Sequence, residues 1–378
     1  MSTGNDIYIN RFENKGQPGD IPETKIVEAY GLRKCPKLVG QIAGSILEVR
    51  QNALAVLCEE FKNPYSVTGC ADEGVIKVLS QMVNDPDFTT RVRTTKALAL
   101  AATDAKGLSA ILFDEAIPQI LNGINDPADM VRGNVYDCLS HVSSTAEGAH
   151  ACVENGVTRA FVAALMNEDD SLKAVMLKTI YNMVGCEQGL VEAITSNAVQ
   201  HCISLLSKSV EYSKSINAAV NGKSIELNYS PYEPAILSEA ARALGFMCFD
   251  GRAKLVALDN GAVEQLIGLL KYKTDASSDV RSSVSISLMA ISITDEGKKQ
   301  IYNHQGVDNI IAMLYDDSKI VLLNTLKIIS NIAIYPKTRE LLLEDSTCCI
   351  KLKKLTKVDD RVIPRHAQIA LDAVNWKP

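Results

Sequence analysis

Apolar and polar positions between Asp259 and Lys299 spell one full unit of a recurring pattern. Val263, Leu266, Ile267, Leu269 and Leu270 fall on one face of a short helix. Val280, Val284, Ile286, Leu288 and Ile291 belong to a longer one, with Asp279 at its N-cap. Gly261 precedes the short helix, where the chain turns sharply. The same start recurs at Gly74, Glu115, Gly156, Asn197, Gly261 and Gly306, with the first four 41 residues apart. Gly107, Gly148 and Gly189 repeat at the same period of 41 in a second register. A period near 40 with helical patterning throughout points to stacked helical repeats, each burying its face against its neighbours.

The pattern therefore predicts an all-α fold, an armadillo/HEAT-like right-handed superhelical solenoid of about eight repeats. An isolated glycine between helices and three helices per unit favour armadillo. Residues 1–24 read as a polar N-terminal tail, and 25–378 as the solenoid. A short helix is expected from Lys25 to Gly31, with Pro36 opening the next. Unit five departs from the period. Its short helix should end near Leu206-Ser207 and its long one begin near Pro234, leaving an inserted loop at 208–233. Asn221-Gly222 is a hairpin-turn dipeptide. The insertion reads either as a disordered loop or as an ordered arm whose Tyr212, Tyr229 and Tyr232 touch a partner protein. The last unit is polar and basic, as a stack's end needs for solubility, and Trp376 is expected in the final helix, packed on that unit.

Composition narrows the function. A net charge of −6 argues against nucleic acid as a partner. The first residues are polar, and no apolar run approaches the roughly 20 residues of a membrane span; the expected setting is intracellular and soluble, with no membrane partner. Ten cysteines contain no Cys-x-x-Cys and mostly fall in apolar helical positions, as buried thiols do. The five histidines are scattered without ligand spacing. No zinc-protease, phosphate-loop or nucleophile-elbow motif is present. The reading is a protein that is not an enzyme, with no catalytic, cofactor-binding or metal residues to assign.

What remains is a binding surface. Arg50, Arg93, Arg132, Arg242 and Arg281 recur near the start of the long third helices, four of them after valine. They either bond neighbouring loops and cover apolar surface with their stems, or form a row of guanidinium groups facing a partner. Asn182 and Asn331 fall later on the same helix. In peptide-binding armadillo proteins an asparagine ladder there holds an extended peptide's backbone; here the ladder has two clear members and no interleaved tryptophans, which weighs against a nuclear-import receptor.

Four stretches resemble the armadillo-repeat subunits of ciliary radial spokes, the radial spoke head 14 family. They are Ala29-Tyr-Gly-Leu-Arg33 with Pro36-Lys-Leu38, Arg50-Gln-Asn-Ala-Leu54 with Leu57-Cys58, Arg132-Gly-Asn-Val-Tyr136, and the closing Trp376-Lys-Pro378. The insertion at 208–233 is a departure. The resemblance implies a non-catalytic scaffold subunit of the axonemal spoke, supporting ciliary and flagellar motility. Its partners would be other radial spoke proteins, through a helical or extended scaffold segment in a large hetero-oligomeric complex. Its place would be the cytoskeleton of the cilium or flagellum. The rival expectation is a cytoplasmic adaptor that binds short peptide segments.

Overall fold

The computed structural model describes residue 29 and residues 31–219, 233–271 and 278–377. The 1–24 tail, Tyr229 and Tyr232 lie outside the described residues, as does most of the helix expected from Lys25; its end, Gly31, opens a 3-10 turn. The chain divides into two compact units, Met1–Val135 and Tyr136–Pro378.

The first unit holds α1 (Lys34–Ile42), α2 (Leu47–Glu60), α3 (Pro64–Asp72), α4 (Val75–Gln81), α5 (Phe88–Ala102), α6 (Ala105–Phe113), α7 (Ile117–Leu121) and the start of α8 (Asp129–Val142). The second continues with α9 (Ala146–Glu154), α10 (Val157–Leu165), α11 (Asp170–Met183), α12 (Glu187–Thr195), α13 (Ala198–Ala219) and α14 (Pro234–Met247). It closes with α15 (Gly251–Asp259), α16 (Ala262–Lys271), α17 (Ser278–Ile291), α18 (Asp295–Asn303), α19 (Val307–Ala312), α20 (Lys319–Ile332), α21 (Pro336–Glu344), α22 (Ser346–Leu355) and α23 (Ile363–Asn375). Every third helix from α2 to α23 is a long one, and successive long helices pack on each other within each unit. This is the armadillo triplet.

Two backbone devices recur along the triplets. One or two residues before the second helix the chain turns left-handed in six of them: Gly74, Gly156 and Gly261 have φ of 74°, 75° and 76°, and Glu115, Asn197 and Gln305 take the same turn at 50°, 69° and 57°. Gln305, rather than Gly306, holds this position in its unit. At the corner between third and first helices a backbone carbonyl lies against a glycine. A Cβ on Gly148 would sit 1.9 Å from the Val142 oxygen, and one on Gly107 2.1 Å from that of Ala101. That contact explains the second glycine register.

The helices bury the apolar stripes the pattern assigns. Leu54 and Leu57 in α2, Val284 and Leu288 in α17 and Leu326, Ile329 and Ile332 in α20 are fully buried, each worth roughly 1.5–3 kcal/mol. Cys70, Cys138, Cys152, Cys202, Cys248 and Cys348 are buried and all ten cysteines are free. The final helix presents Arg365 and Asp372 at the helix positions where α20 buries Val321 and Ile328. Trp376 is a correction: it stands just past α23 as its C-cap, 56% exposed, with the Arg339 guanidinium 5.0 Å from its ring centre.

The insertion is a second correction. The second helix of unit five does not end at Leu206-Ser207; α13 runs on to Ala219, 22 residues in all. The expected loop therefore begins as helix, and the extension is built in. A Cβ on Gly268 of α16 would meet Val210 Cγ1 at 2.7 Å, so the missing side chain admits the valine. Ser213 is buried, and Lys214 pairs with Glu264 at 3.1 Å. Tyr212 is 40% exposed on this helix. Asp279 falls in the first turn of α17, not at an N-cap.

Candidate functional site

The arginines of the third helices separate into two kinds. Arg50, Arg132 and Arg281 are each the fourth residue of their helix. Arg91, which the Val-Arg dipeptide at Val92-Arg93 obscured, is the fourth residue of α5. Arg50 donates to Asp85 Oδ2 at 2.8 Å and to the Gly44 carbonyl at 3.0 Å. Arg91 donates to Asp126 Oδ2 at 2.6 Å and to the Asp85 carbonyl at 3.0 Å, and Arg132 to the Asp126 carbonyl at 2.9 Å. Arg281 reaches Asp316 Oδ2 at 2.5 Å.

Each aspartate also turns its own loop. Oδ1 of Asp85, Asp126 and Asp316 accepts the amide two residues on, at 2.8 to 2.9 Å. One carboxylate thus shapes the entry to a third helix and bonds it to the preceding repeat. Through Arg50, Arg91 and Arg281 the row joins repeat to repeat.

Arg93 and Arg242 are outside this register. Arg93, sixth in α5, donates to the Gln51 carbonyl at 2.6 Å. Arg242, ninth in α14, pairs with Glu239 at 3.2 Å and lies 5.6 Å from the Tyr181 ring centre. Asn182 and Asn331 do share one position, the thirteenth of their helices. Both spend their amide on the preceding repeat: Asn182 Nδ2 donates to Ser143 Oγ at 3.1 Å and Asn331 Nδ2 to Ser292 Oγ at 3.0 Å.

Arg242 and Asn182 belong to a surface in the second unit that the sequence reading did not assemble. The Tyr181 and Phe246 rings meet edge-on at 4.7 Å, and Phe249 continues the cluster 5.8 Å from Phe246. Phe246 and Phe249 are 38% and 50% exposed. A pocket of about 250 Å³ opens beside them, lined by Tyr181, Asn182, Gly185, Cys186 and Phe246 together with the turn at Ser143–Ala149. Lys178 stands exposed one turn before Tyr181. Its charge adds to burial, the larger cause, in holding the His141 imidazole below its usual range. Burial raises Glu239 above the ordinary carboxylate range, against the opposing charges of Arg242 and Lys178.

Among the described residues no group of three or more His, Cys, Asp or Glu is placed to hold a metal ion, and no helix is long and apolar enough to cross a membrane. Several carboxylates serve as helix caps or repeat bridges: Asp87, Asp104, Asp250 and Asp345 cap α5, α6, α15 and α22.

No protein-family model matches the chain. Over 264 residues it is 24% identical to Radial spoke protein 14 of Chlamydomonas reinhardtii, a distant homologue. That stretch is 69% of this chain, and it spans 65% of the relative's length. Among solved structures, a designed armadillo repeat protein in complex with the peptide (KR)4 superimposes with a TM-score of 0.56 at 20% identity, over 68% of this chain and 99% of that one. The fold is that of armadillo-repeat proteins.

Proposed function

We propose that the chain is a non-catalytic scaffold subunit of the axonemal radial spoke that binds other spoke proteins through the surface of its stacked helices and so supports ciliary motility. The observation that carries this is the distant homology to Radial spoke protein 14. The architecture suits the role: arginine–aspartate pairs at Arg50, Arg91 and Arg281 spend charge on joining repeats, which stiffens the stack. The exposed aromatic cluster at Tyr181, Phe246 and Phe249 is the kind of surface that partners cover.

A second reading, a cytoplasmic adaptor for short peptide segments, draws on the designed armadillo neighbour with its bound peptide. A tagged copy in a ciliated cell separates the two. Retention in axonemes after detergent and a high-salt wash supports the spoke subunit. Complete release by detergent alone supports the adaptor and overturns the spoke reading.

A further inference from the structure

The C-terminal halves of four consecutive third helices in the second unit share a pattern. Residues 178–185, 242–249, 286–293 and 327–334 contain no aspartate or glutamate. The ninth residue of each helix gives a row of Lys178, Arg242, Ile286 and Lys327. Lys178 and Lys327 are exposed and make no salt bridge among the described residues. Two turns further on, on the same stripe, the corner residues are Gly185, Phe249, Ile293 and Ile334. The last three are 50%, 53% and 62% exposed. Corners in earlier repeats carry Lys62, Thr103 and Ser144 instead. Exposed apolar side chains at one position in three successive repeats are not scattered surface residues; they form a strip.

At the first corner the strip becomes a hollow. Gly185 has no side chain there, and the pocket of about 250 Å³ opens at that point with Tyr181 and Phe246 as walls. The surface thus has an anionic partner's counterpart on one side, an apolar rim on the other, and a socket at one end. Of the acidic groups beyond the rim, Asp250 is engaged with Arg252, Asp295 with Lys298 and Glu296 with Lys299, while Glu187 is exposed beside the Gly185 corner.

Packed third helices stand about 8–10 Å apart, and residues seven apart on an α-helix rise about 10.5 Å. A helix laid across the corners would therefore set one apolar residue per heptad against each repeat. We propose that this rim binds an amphipathic helix of a partner protein with acidic residues along one flank. Its apolar stripe covers Phe249, Ile293 and Ile334, its acids face Lys178, Arg242 and Lys327, and one large apolar side chain enters the socket at Gly185. This rests on the scaffold reading and specifies the partner's chemistry.

The full chain is titrated, by fluorescence anisotropy, into two labelled amphipathic helical peptides of about 21 residues, three heptads. Both have the same leucine pattern, one with glutamate on its polar flank and the other with lysine. The acidic peptide is expected to bind and the basic one to bind at least about tenfold more weakly. Lys178→Glu with Lys327→Glu should reverse that order. Gly185→Leu, and separately Phe249→Ser with Ile293→Ser, should weaken the acidic peptide about tenfold, with helicity by circular dichroism unchanged. Preference for the basic peptide, binding of neither, or equal binding by the charge-reversed chain overturns the proposal. So does self-association of the chain that Phe249→Ser with Ile293→Ser abolishes, because the rim is then a contact between copies. Axonemal retention with no peptide preference would leave the spoke reading standing and remove only this one.

Discussion

Arg91 and Asp126, 35 residues apart, are joined at 2.6 Å across two repeats, with side chains only 15% and 7% exposed. The same carboxylate holds the Ala128 amide at 2.9 Å. A partly buried, charge-assisted bond is worth roughly 1.5–3 kcal/mol. Arg91→Ala and Asp126→Ala should each destabilise the chain by roughly 2 kcal/mol in urea unfolding, and the double variant by clearly less than their sum. Additive losses would mean the two do not interact in solution.

The two glycine registers should respond differently to alanine. Gly148→Ala forces a Cβ to 1.9 Å from the Val142 carbonyl and should cost roughly 3 kcal/mol through overpacking. Gly156→Ala meets nothing within 4 Å but keeps a φ of 75°, so its cost should be about 1–2 kcal/mol of backbone strain. Thermal melts of the two variants give the comparison. Equal shifts would show that the corner contact is not what fixes the second register.

Asp360 ties the last repeat to α20. Its carboxylate accepts from Lys319 at 2.5 Å and from the Val362 and Ile363 amides, which lowers its pKa to about 2, with the Lys319 bond the largest cause. The folded value lies below the unfolded one, near 3.9. Its contribution to stability is therefore complete above about pH 4 and is lost as the pH falls toward 2. Asp360→Asn should flatten that limb of the stability curve while lowering stability at neutral pH. A limb as steep as the parent's would assign it to other carboxylates.

Thiol labelling reads out the core. Burial pushes Cys202 and Cys248 up to about 12, so they should resist iodoacetamide at pH 8 until the chain unfolds. The half-buried Cys186 and Cys349 should label first. Early modification of Cys202 would place α13 out of its packed position.

Fold class was legible because a glycine or left-handed residue recurs every 41 positions from Gly74 to Asn197 and each third helix carries a continuous apolar stripe. Two features escaped for separate reasons. The helix end expected at Leu206-Ser207 was wrong because the contact that extends α13, Val210 against Gly268, joins residues far apart in sequence; Asn221-Gly222 lie outside the described residues. The proposed rim depends on helix register to a single residue. Sequence spacing alone puts Arg93 and Arg242 in the arginine row in place of Arg91, because the register counts from the helix start, which the sequence does not fix to the residue. Nothing in the apolar pattern distinguishes Phe249, Ile293 and Ile334 from buried positions; their exposure is a property of the fold.

Amine-reactive cross-linking of salt-washed axonemes, followed by mass spectrometry, tests the central claim most directly. The account predicts that this chain is present and that Lys178 or Lys327 is cross-linked to another axonemal protein through a segment rich in acidic residues. Absence of the chain from washed axonemes, or cross-links from both lysines only to the chain itself, would contradict it.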